Sequence, residues 1–218
     1  MYAASDLATA AYCPRQLYYR RGEDDRGVPP EVADRRELAF EYDELLSASD
    51  AALAARPIDV SPTEYRESLA RARERLDAWS ALADPPSRDR LLSGKECRGI
   101  ASKVLEAPLA PSYVSPGSPP ERGVWEPQSV RAVALAKALS WERETPVERA
   151  FVEYPSYGVV REISLTTRRK AAYRSAIRTV EEIDGPPPRL NADPKCDSCE
   201  YRGRCGTRTR SLRSLLGL

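Results

Sequence analysis

The 218-residue sequence contains no histidine, which removes both the commonest general base and the commonest zinc ligand. Hydrolase mechanisms that depend on histidine are therefore excluded. The sequence also has no excess of charge of one sign, because 34 lysine and arginine residues nearly balance 33 aspartate and glutamate residues. Net charge gives no argument for or against a nucleic-acid partner, so any basic surface has to be local.

Long apolar runs are missing as well. No run reaches the length that spans a bilayer, and the first residues lack the basic start and apolar stretch of a signal peptide. We expect a cytoplasmic protein without membrane association. In a reducing cytosol, grouped cysteines are more often metal ligands or catalytic groups than disulfides. The sequence has five cysteines, a number that fits four ligands and one further thiol.

Periodicity and turn residues predict a mixed α/β protein with a small sheet flanked by helices. The predicted helices cover residues 6–12 (capped by Ser5), 13–21, 31–48, 62–83, 126–143 and 168–184 (capped by Thr166 or Thr167). A meander of short strands is predicted over 88–115, and a hairpin over 147–154 and 159–165. We expect one domain over 1–218, with a helical insertion at 31–86 and a C-terminal cysteine loop and basic tail at 186–218.

Three cysteines follow the proline-rich end of the last predicted helix, as Cys196-x-x-Cys199-x-x-x-x-x-Cys205. A two-residue gap lets two sulfurs converge on one metal centre. Cys13 is the natural fourth ligand, because it would tie the N-terminal segment to this loop. Cys97 lies in a predicted strand, where a buried apolar thiol is the commoner role. Zinc and iron–sulfur both accept four thiolates, and the single upstream ligand favours a cluster over a zinc knuckle.

Three segments resemble a known family. They are Cys13-Pro14-Arg15-Gln16-Leu17-Tyr18-Tyr19, Ile163-Ser164-Leu165-Thr166 before the last helix, and Pro186-Pro187-Pro188 before the cysteine loop. These segments are similar to the CRISPR-associated "Cas-four" RecB-like nucleases of the PD-(D/E)XK superfamily, over most of the chain outside 31–86. The resemblance implies a restriction-endonuclease-like core and a metal-dependent exonuclease site. It also implies a 4Fe-4S cluster that joins the N- and C-terminal segments. The implied partners are DNA, with single-stranded DNA expected, and CRISPR integrase proteins.

The catalytic residues of that family are replaced in this sequence. Ser102 stands where the family's Gly-x-x-Asp motif has aspartate, and Tyr113 and Ser115 stand in place of the Glu-x-Lys pair. Gln128 of the family's Gln-x-x-x-Tyr motif is retained, but Ala132 replaces its tyrosine. Neutral hydroxyls are poor ligands for magnesium or manganese. The sequence therefore predicts a nuclease fold that has lost cleavage.

Two alternatives stay open. Displaced carboxylates could restore a metal-dependent exonuclease, and the candidates are Glu96, Glu106, Glu121 and Glu126. Lys103 could replace the missing lysine, although strand alternation turns it to the opposite face from Ser102. The other alternative is a zinc-stapled module that binds proteins.

A cluster of basic and aromatic residues lies near both chain ends. Its members are Arg15, Tyr18, Tyr19 and Arg20 near one end, and Arg202, Arg204, Arg208, Arg210 and Arg213 near the other. Guanidinium groups bind phosphate oxygens, and tyrosine rings stack on single-stranded bases, so these residues are candidates for nucleic-acid binding. Half-buried tyrosines beside a solvated arginine face would give the same pattern.

Overall fold

The structure is a computed structural model that describes residues 1–23, 27, 29–190 and 194–206. The helices are α1 (Ala4–Tyr12), α2 (Pro14–Arg21), α3 (Pro30–Glu37), α4 (Tyr42–Ser47), α5 (Asp50–Ala54), α6 (Pro62–Arg75), α7 (Trp79–Ala83), α8 (Glu126–Glu142), α9 (Thr167–Glu181) and α10 (Arg202–Cys205). The strands are β1 (Tyr2–Ala3), β2 (Ser87–Ser93), β3 (Cys97–Glu106), β4 (Leu109–Val114), β5 (Arg149–Tyr154) and β6 (Val159–Ser164). Within the described residues, no helix has both the length and the apolar content needed to cross a membrane.

The strands form one mixed sheet. β2, β3 and β4 are an antiparallel meander, and β5 and β6 are an antiparallel hairpin, as the turn residues predict. Helix α8 connects β4 to β5, and such a crossover makes these two neighbouring strands parallel. β1 pairs in parallel with the first two residues of β3. The expected mixed α/β class, with a mixed sheet between helices, is confirmed.

Both faces of the sheet are covered by helices. Val104 and Val152 face the side where α1, α8 and α9 pack. Their sequence neighbours Leu105 and Phe151 face the opposite side and join the core formed with α4, α6 and α7. Successive residues of a strand point to opposite faces, so each strand contributes to two cores. The helices of segment 30–83 therefore pack directly against the sheet.

Several helix boundaries differ from the prediction. Thr166 and Ser61 cap α9 and α6. The hydroxyl of each accepts one hydrogen bond from the backbone N–H three residues later in the chain. Ser5 does not cap α1, because the helix begins at Ala4 and Ser5 lies inside it. The predicted helix over 31–48 is interrupted by a 3₁₀ turn at Leu38–Phe40. The carbonyl of Ala39 in this turn accepts a hydrogen bond from the Lys103 ammonium, a partner that sequence periodicity does not contain.

The segment 62–83 also consists of two helices rather than one. α6 ends at Arg75, Leu76 adopts extended backbone angles, and α7 begins only at Trp79. The apolar spacing continues across this break, because Leu76 and Trp79 both belong to the core beneath the helices. Periodicity therefore identified the buried residues correctly but did not show the change in chain direction.

Four buried tyrosines make the fold sensitive to alkaline pH. Burial raises the pKa of Tyr42, Tyr65, Tyr154 and Tyr173. Because a phenol of raised pKa ionises more easily in the unfolded chain, its contribution to stability is complete below about pH 10 and is lost at higher pH. Burial lowers the pKa of Lys103, and this shift makes stability rise with pH instead of fall. The four phenols outnumber this one lysine, so we expect a net loss of stability at high pH.

We expect cooperative unfolding above about pH 10, with phenolate absorbance rising as the circular dichroism signal falls. Tyr65→Phe should move this transition to higher pH, because its buried hydroxyl has no hydrogen-bond partner among the described residues. Tyr18→Phe is the control, since Tyr18 exposes 36% of its surface. Phenolate formation that is complete while the dichroism stays native would contradict the prediction.

Candidate functional site

Four cysteines from the two ends of the chain line one small pocket. Cys13 lies at the junction of α1 and α2, where its extended backbone lets its N–H donate to the carbonyl of Thr9. Cys196, Cys199 and Cys205 lie on the loop and the short helix α10 that follow the proline-rich segment. All four are half-buried and line the same pocket. We call these four residues the cysteine clasp.

The donor chemistry of the clasp suits a thiophilic metal. The pocket that the four cysteines line is small, with a volume of about 20 Å³. Within the described residues, no group of three or more cysteine or carboxylate side chains stands at metal-holding positions. Four sulfur donors and the absence of histidine fit zinc or an iron–sulfur cluster. Both centres take four thiolate ligands, and the zinc ion is the smaller of the two.

Arg15 and Tyr19 of α2 hold the C-terminal segment in place. The Arg15 guanidinium donates to the carbonyl of Pro187 at 2.6 Å and to the Tyr19 hydroxyl at 3.1 Å. The Tyr19 ring stacks on the Tyr201 ring with 5.6 Å between centroids. Arg204 donates to Glu23 at 3.0 Å. These side chains therefore connect the parts of the protein that carry the clasp.

This network changes how the predicted nucleic-acid-binding residues are interpreted. The face of Tyr19 is stacked on another tyrosine, and Arg15 and Arg204 bind partners within the protein. Arg20 donates to the Thr9 hydroxyl at 3.0 Å, and Arg202 forms an ion pair with Asp197 at 3.4 Å. Tyr18 is the more exposed tyrosine of the pair. The predicted Arg208, Arg210 and Arg213 lie outside the described residues.

The positions that the sequence analysis compares with nuclease motifs lie on β3 (Ser102), at the end of β4 (Tyr113 and Ser115) and on α8 (Gln128). Ser102 of β3 accepts a hydrogen bond at 3.1 Å from the backbone N–H of Val114, next to Tyr113 on β4. Gln128 of α8 donates to the Ser115 hydroxyl at 2.8 Å. The Tyr154 hydroxyl donates to the carbonyl oxygen of Gln128. The side chains of Ser102, Ser115 and Gln128 thus make hydrogen bonds to neutral groups.

Arg131 adds a positive charge to this group, and the sequence analysis did not identify it. It lies on α8 three residues after Gln128, a spacing that puts both side chains on one helix face. Its guanidinium carbon lies 4.1 Å from the centroid of the Tyr113 ring. The signal for Arg131 in the sequence was its position one helical turn after Gln128. The centre of the site therefore contains hydroxyls, an amide and a cation.

The candidate displaced carboxylates lie elsewhere. Glu106 forms an exposed ion pair with Arg143 at 2.5 Å, and Glu96 accepts from the Tyr173 hydroxyl at 3.3 Å. Glu121 and Glu126 are exposed. Within the described residues, none of these four carboxylates hydrogen-bonds to the side chains of Ser102, Tyr113 or Ser115.

Lys103 points away from this site, in agreement with strand alternation. It is fully buried on the opposite face, and its ammonium donates to Glu153 at 2.7 Å, to the carbonyl of Ala39 at 2.5 Å and to that of Leu82 at 2.7 Å. The Ser112 hydroxyl donates to the second oxygen of Glu153. Lys103 therefore does not take the role of a catalytic lysine that the exonuclease alternative gave it. Its partner Glu153 was not identified from the sequence.

Comparison with known proteins assigns no family to the chain. No family model matches the chain, and a search of curated proteins finds no match. The family resemblance therefore rests on the cysteine segments and the motif positions themselves.

Proposed function

We propose that the protein is a non-cleaving relative of the RecB-like nucleases that holds an iron–sulfur cluster in the cysteine clasp and binds DNA. The observation that carries this proposal is that Cys13 lines the same pocket as Cys196, Cys199 and Cys205. Residues from opposite ends of a chain share a pocket only when the fold brings them together. Among the described residues that line the pocket, four are cysteines and none is a carboxylate, which favours a thiolate-bound centre.

The proposed PD-(D/E)XK-type core is supported by hydrogen bonds between the segments that carry the motif positions. Ser102 of β3 bonds to Val114 of β4, and Ser115, the residue after β4, bonds to Gln128 of α8. A divalent metal that activates water needs carboxylate oxygens as ligands. This site offers hydroxyls and the Arg131 guanidinium instead, which disfavours bound magnesium or manganese. We propose that DNA is bound there without being cut.

The residues around the clasp support a cluster with a structural role. When bound, the cluster would covalently link the α1–α2 junction to the C-terminal loop. Arg15 interacts with the thiol of Cys205, so a positive charge stands beside the sulfur ligands. Such a cation offsets the negative charge of bound thiolates. The proposed partners are single-stranded DNA and, in a CRISPR adaptation complex, an integrase protein.

The test is the metal content of protein purified without oxygen. We expect iron and acid-labile sulfide in the wild type, and loss of both in Cys13→Ser and Cys199→Ser, because each variant removes a ligand. Cys97→Ser is the matched control. Its thiol is buried in the core, where it donates to the carbonyl of Ala134, and it does not line the pocket.

Different outcomes would contradict separate parts of the proposal. Iron retained in Cys13→Ser would remove Cys13 from the clasp. Zinc without sulfide would replace the cluster by a zinc staple. Degradation of labelled single-stranded DNA with manganese, abolished by Glu106→Ala, would establish an exonuclease with displaced carboxylates.

A further inference from the structure

Arg131 is a half-buried cation that interacts with the hydroxyl of Tyr113 but has no carboxylate partner among the described residues. Its Nε atom is buried and has no hydrogen-bond partner within the same part of the chain. Burial lowers the pKa of Arg131, although the value for a free guanidinium is so high that the group stays charged. A partly buried charge without a counter-ion is unfavourable. An anionic ligand would relieve this cost.

The surroundings of Arg131 are themselves positive. Arg20 and Arg36 lie close enough to lower its pKa further. Arg36 has a carboxylate partner, Asp89, at 2.8 Å, whereas Arg20 donates to the neutral hydroxyl of Thr9. Arg161 interacts with the nearby Tyr154 and also has a buried Nε without a partner in the part of the chain that the structure describes. Arg20 of α2 and Arg36 of α3 therefore lie near Arg131, and Arg161 of β6 lies near Tyr154.

We propose that Arg131 binds a backbone phosphate of single-stranded DNA beside Tyr113. This inference rests on the proposed nuclease-like core and DNA binding. The planar guanidinium offers paired donors that match phosphate oxygens, and the Tyr113 ring packs against its face. The cation is part of α8, so DNA binding at this site needs no divalent metal.

An exposed aromatic residue favours a single-stranded nucleic acid over other anions. Trp125 precedes α8, exposes 51% of its surface, and its backbone lies against Tyr154 at the same site. Its indole N–H donates to the carbonyl of Ser118, which fixes the position of the ring. A fixed aromatic ring beside phosphate-binding arginines suits an unpaired base next to its phosphate. An acidic peptide would gain nothing comparable from Trp125.

The test measures the affinity of a labelled single-stranded oligonucleotide in a chelator, over a range of salt concentrations. We expect tight binding by the wild type in the chelator. Arg131→Gln should bind about tenfold more weakly or worse, because a charge-assisted contact is lost. The slope of log affinity against log salt should become shallower by about 0.7, as for the loss of one phosphate contact. Arg131→Lys should fall between the two.

The control is Arg73→Gln, which removes an exposed arginine of α6 on the other side of the sheet. It should keep the wild-type affinity and slope. Thermal unfolding of each variant separates lost binding from lost folding, and Arg131→Lys keeps the charge if Arg131→Gln folds poorly. Competition by inorganic phosphate or polyglutamate distinguishes the ligand, and displacement by polyglutamate as readily as by DNA would overturn the proposal.

Wild-type affinity in Arg131→Gln would overturn this inference and leave the proposed DNA binding intact. Binding that requires manganese and disappears in the chelator would show that a metal ion, not Arg131, holds the phosphate. Failure of the wild type to retain DNA at low salt would overturn both this inference and the DNA part of the proposed function. The metal content of the same preparation shows whether the clasp is formed.

Discussion

Lys103→Met and Glu153→Leu are each expected to destabilise the fold by about 3–5 kcal/mol. Each variant leaves the other charge fully buried without its partner, since neither side chain is exposed. Lys103→Met also deprives the carbonyls of Ala39 and Leu82 of their donor. The loss should appear in chemical denaturation as a lower midpoint with an unchanged slope.

The double variant Lys103→Met with Glu153→Leu tests whether the two side chains act as a unit. It removes both charges, so its cost should be clearly smaller than the sum of the two single costs. Lys137→Met is the control, because Lys137 is exposed on α8 and its replacement should change stability by no more than about 0.5 kcal/mol. Additive single costs, or single costs near that of Lys137→Met, would contradict the buried pair.

The position of Lys103 explains why we expect a large loss of stability in Lys103→Met. The carbonyls that it binds belong to the turn between α3 and α4 and to α7, whereas Glu153 belongs to β5. The Phe40 and Tyr42 rings lie within 5.1 and 4.7 Å of its ammonium. One side chain therefore connects the helices of segment 30–83 to the sheet. We expect Lys103→Met to increase hydrogen exchange in those helices.

Gly158→Ala is expected to cost about 2–5 kcal/mol, the sum of backbone strain and overpacking. Gly158 has a φ of +61° in the turn between β5 and β6. A Cβ atom there would lie 2.7 Å from the backbone carbonyl oxygen of Tyr65. This oxygen belongs to α6 and cannot move aside as a flexible side chain would. The helix must shift from the sheet, which disturbs the core that Leu69 and Val160 share.

Gly123→Ala separates the cost of backbone strain from the cost of overpacking. Gly123 has a φ of +65°, and a Cβ atom built on it would have no neighbour within 4 Å. Its replacement should cost only the strain of the left-handed conformation, about 1–2 kcal/mol. Both variants are compared by thermal and chemical denaturation. Equal losses would show that the contact with Tyr65 has no energetic consequence.

Part of the candidate site could be predicted because its residues belong to local patterns. The Cys196-x-x-Cys199 spacing, the hydroxyls at Ser102 and Ser115, and the turn at Gly158 are visible in short segments. Arg131 was missed because its significance comes from Tyr113, which lies on another element. The cluster, the DNA partner, the integrase partner and the cytoplasmic location stay predictions.

By itself the sequence determined the mixed α/β class, the meander, the hairpin and the cap at Thr166, since these depend on neighbours within a few residues. Only the tertiary structure decided that Cys13 shares a pocket with the C-terminal cysteines, that Lys103 pairs with Glu153, and where segment 31–83 breaks. These features arise from contacts between residues far apart in the chain. No local periodicity encodes which distant partner a buried charge will find.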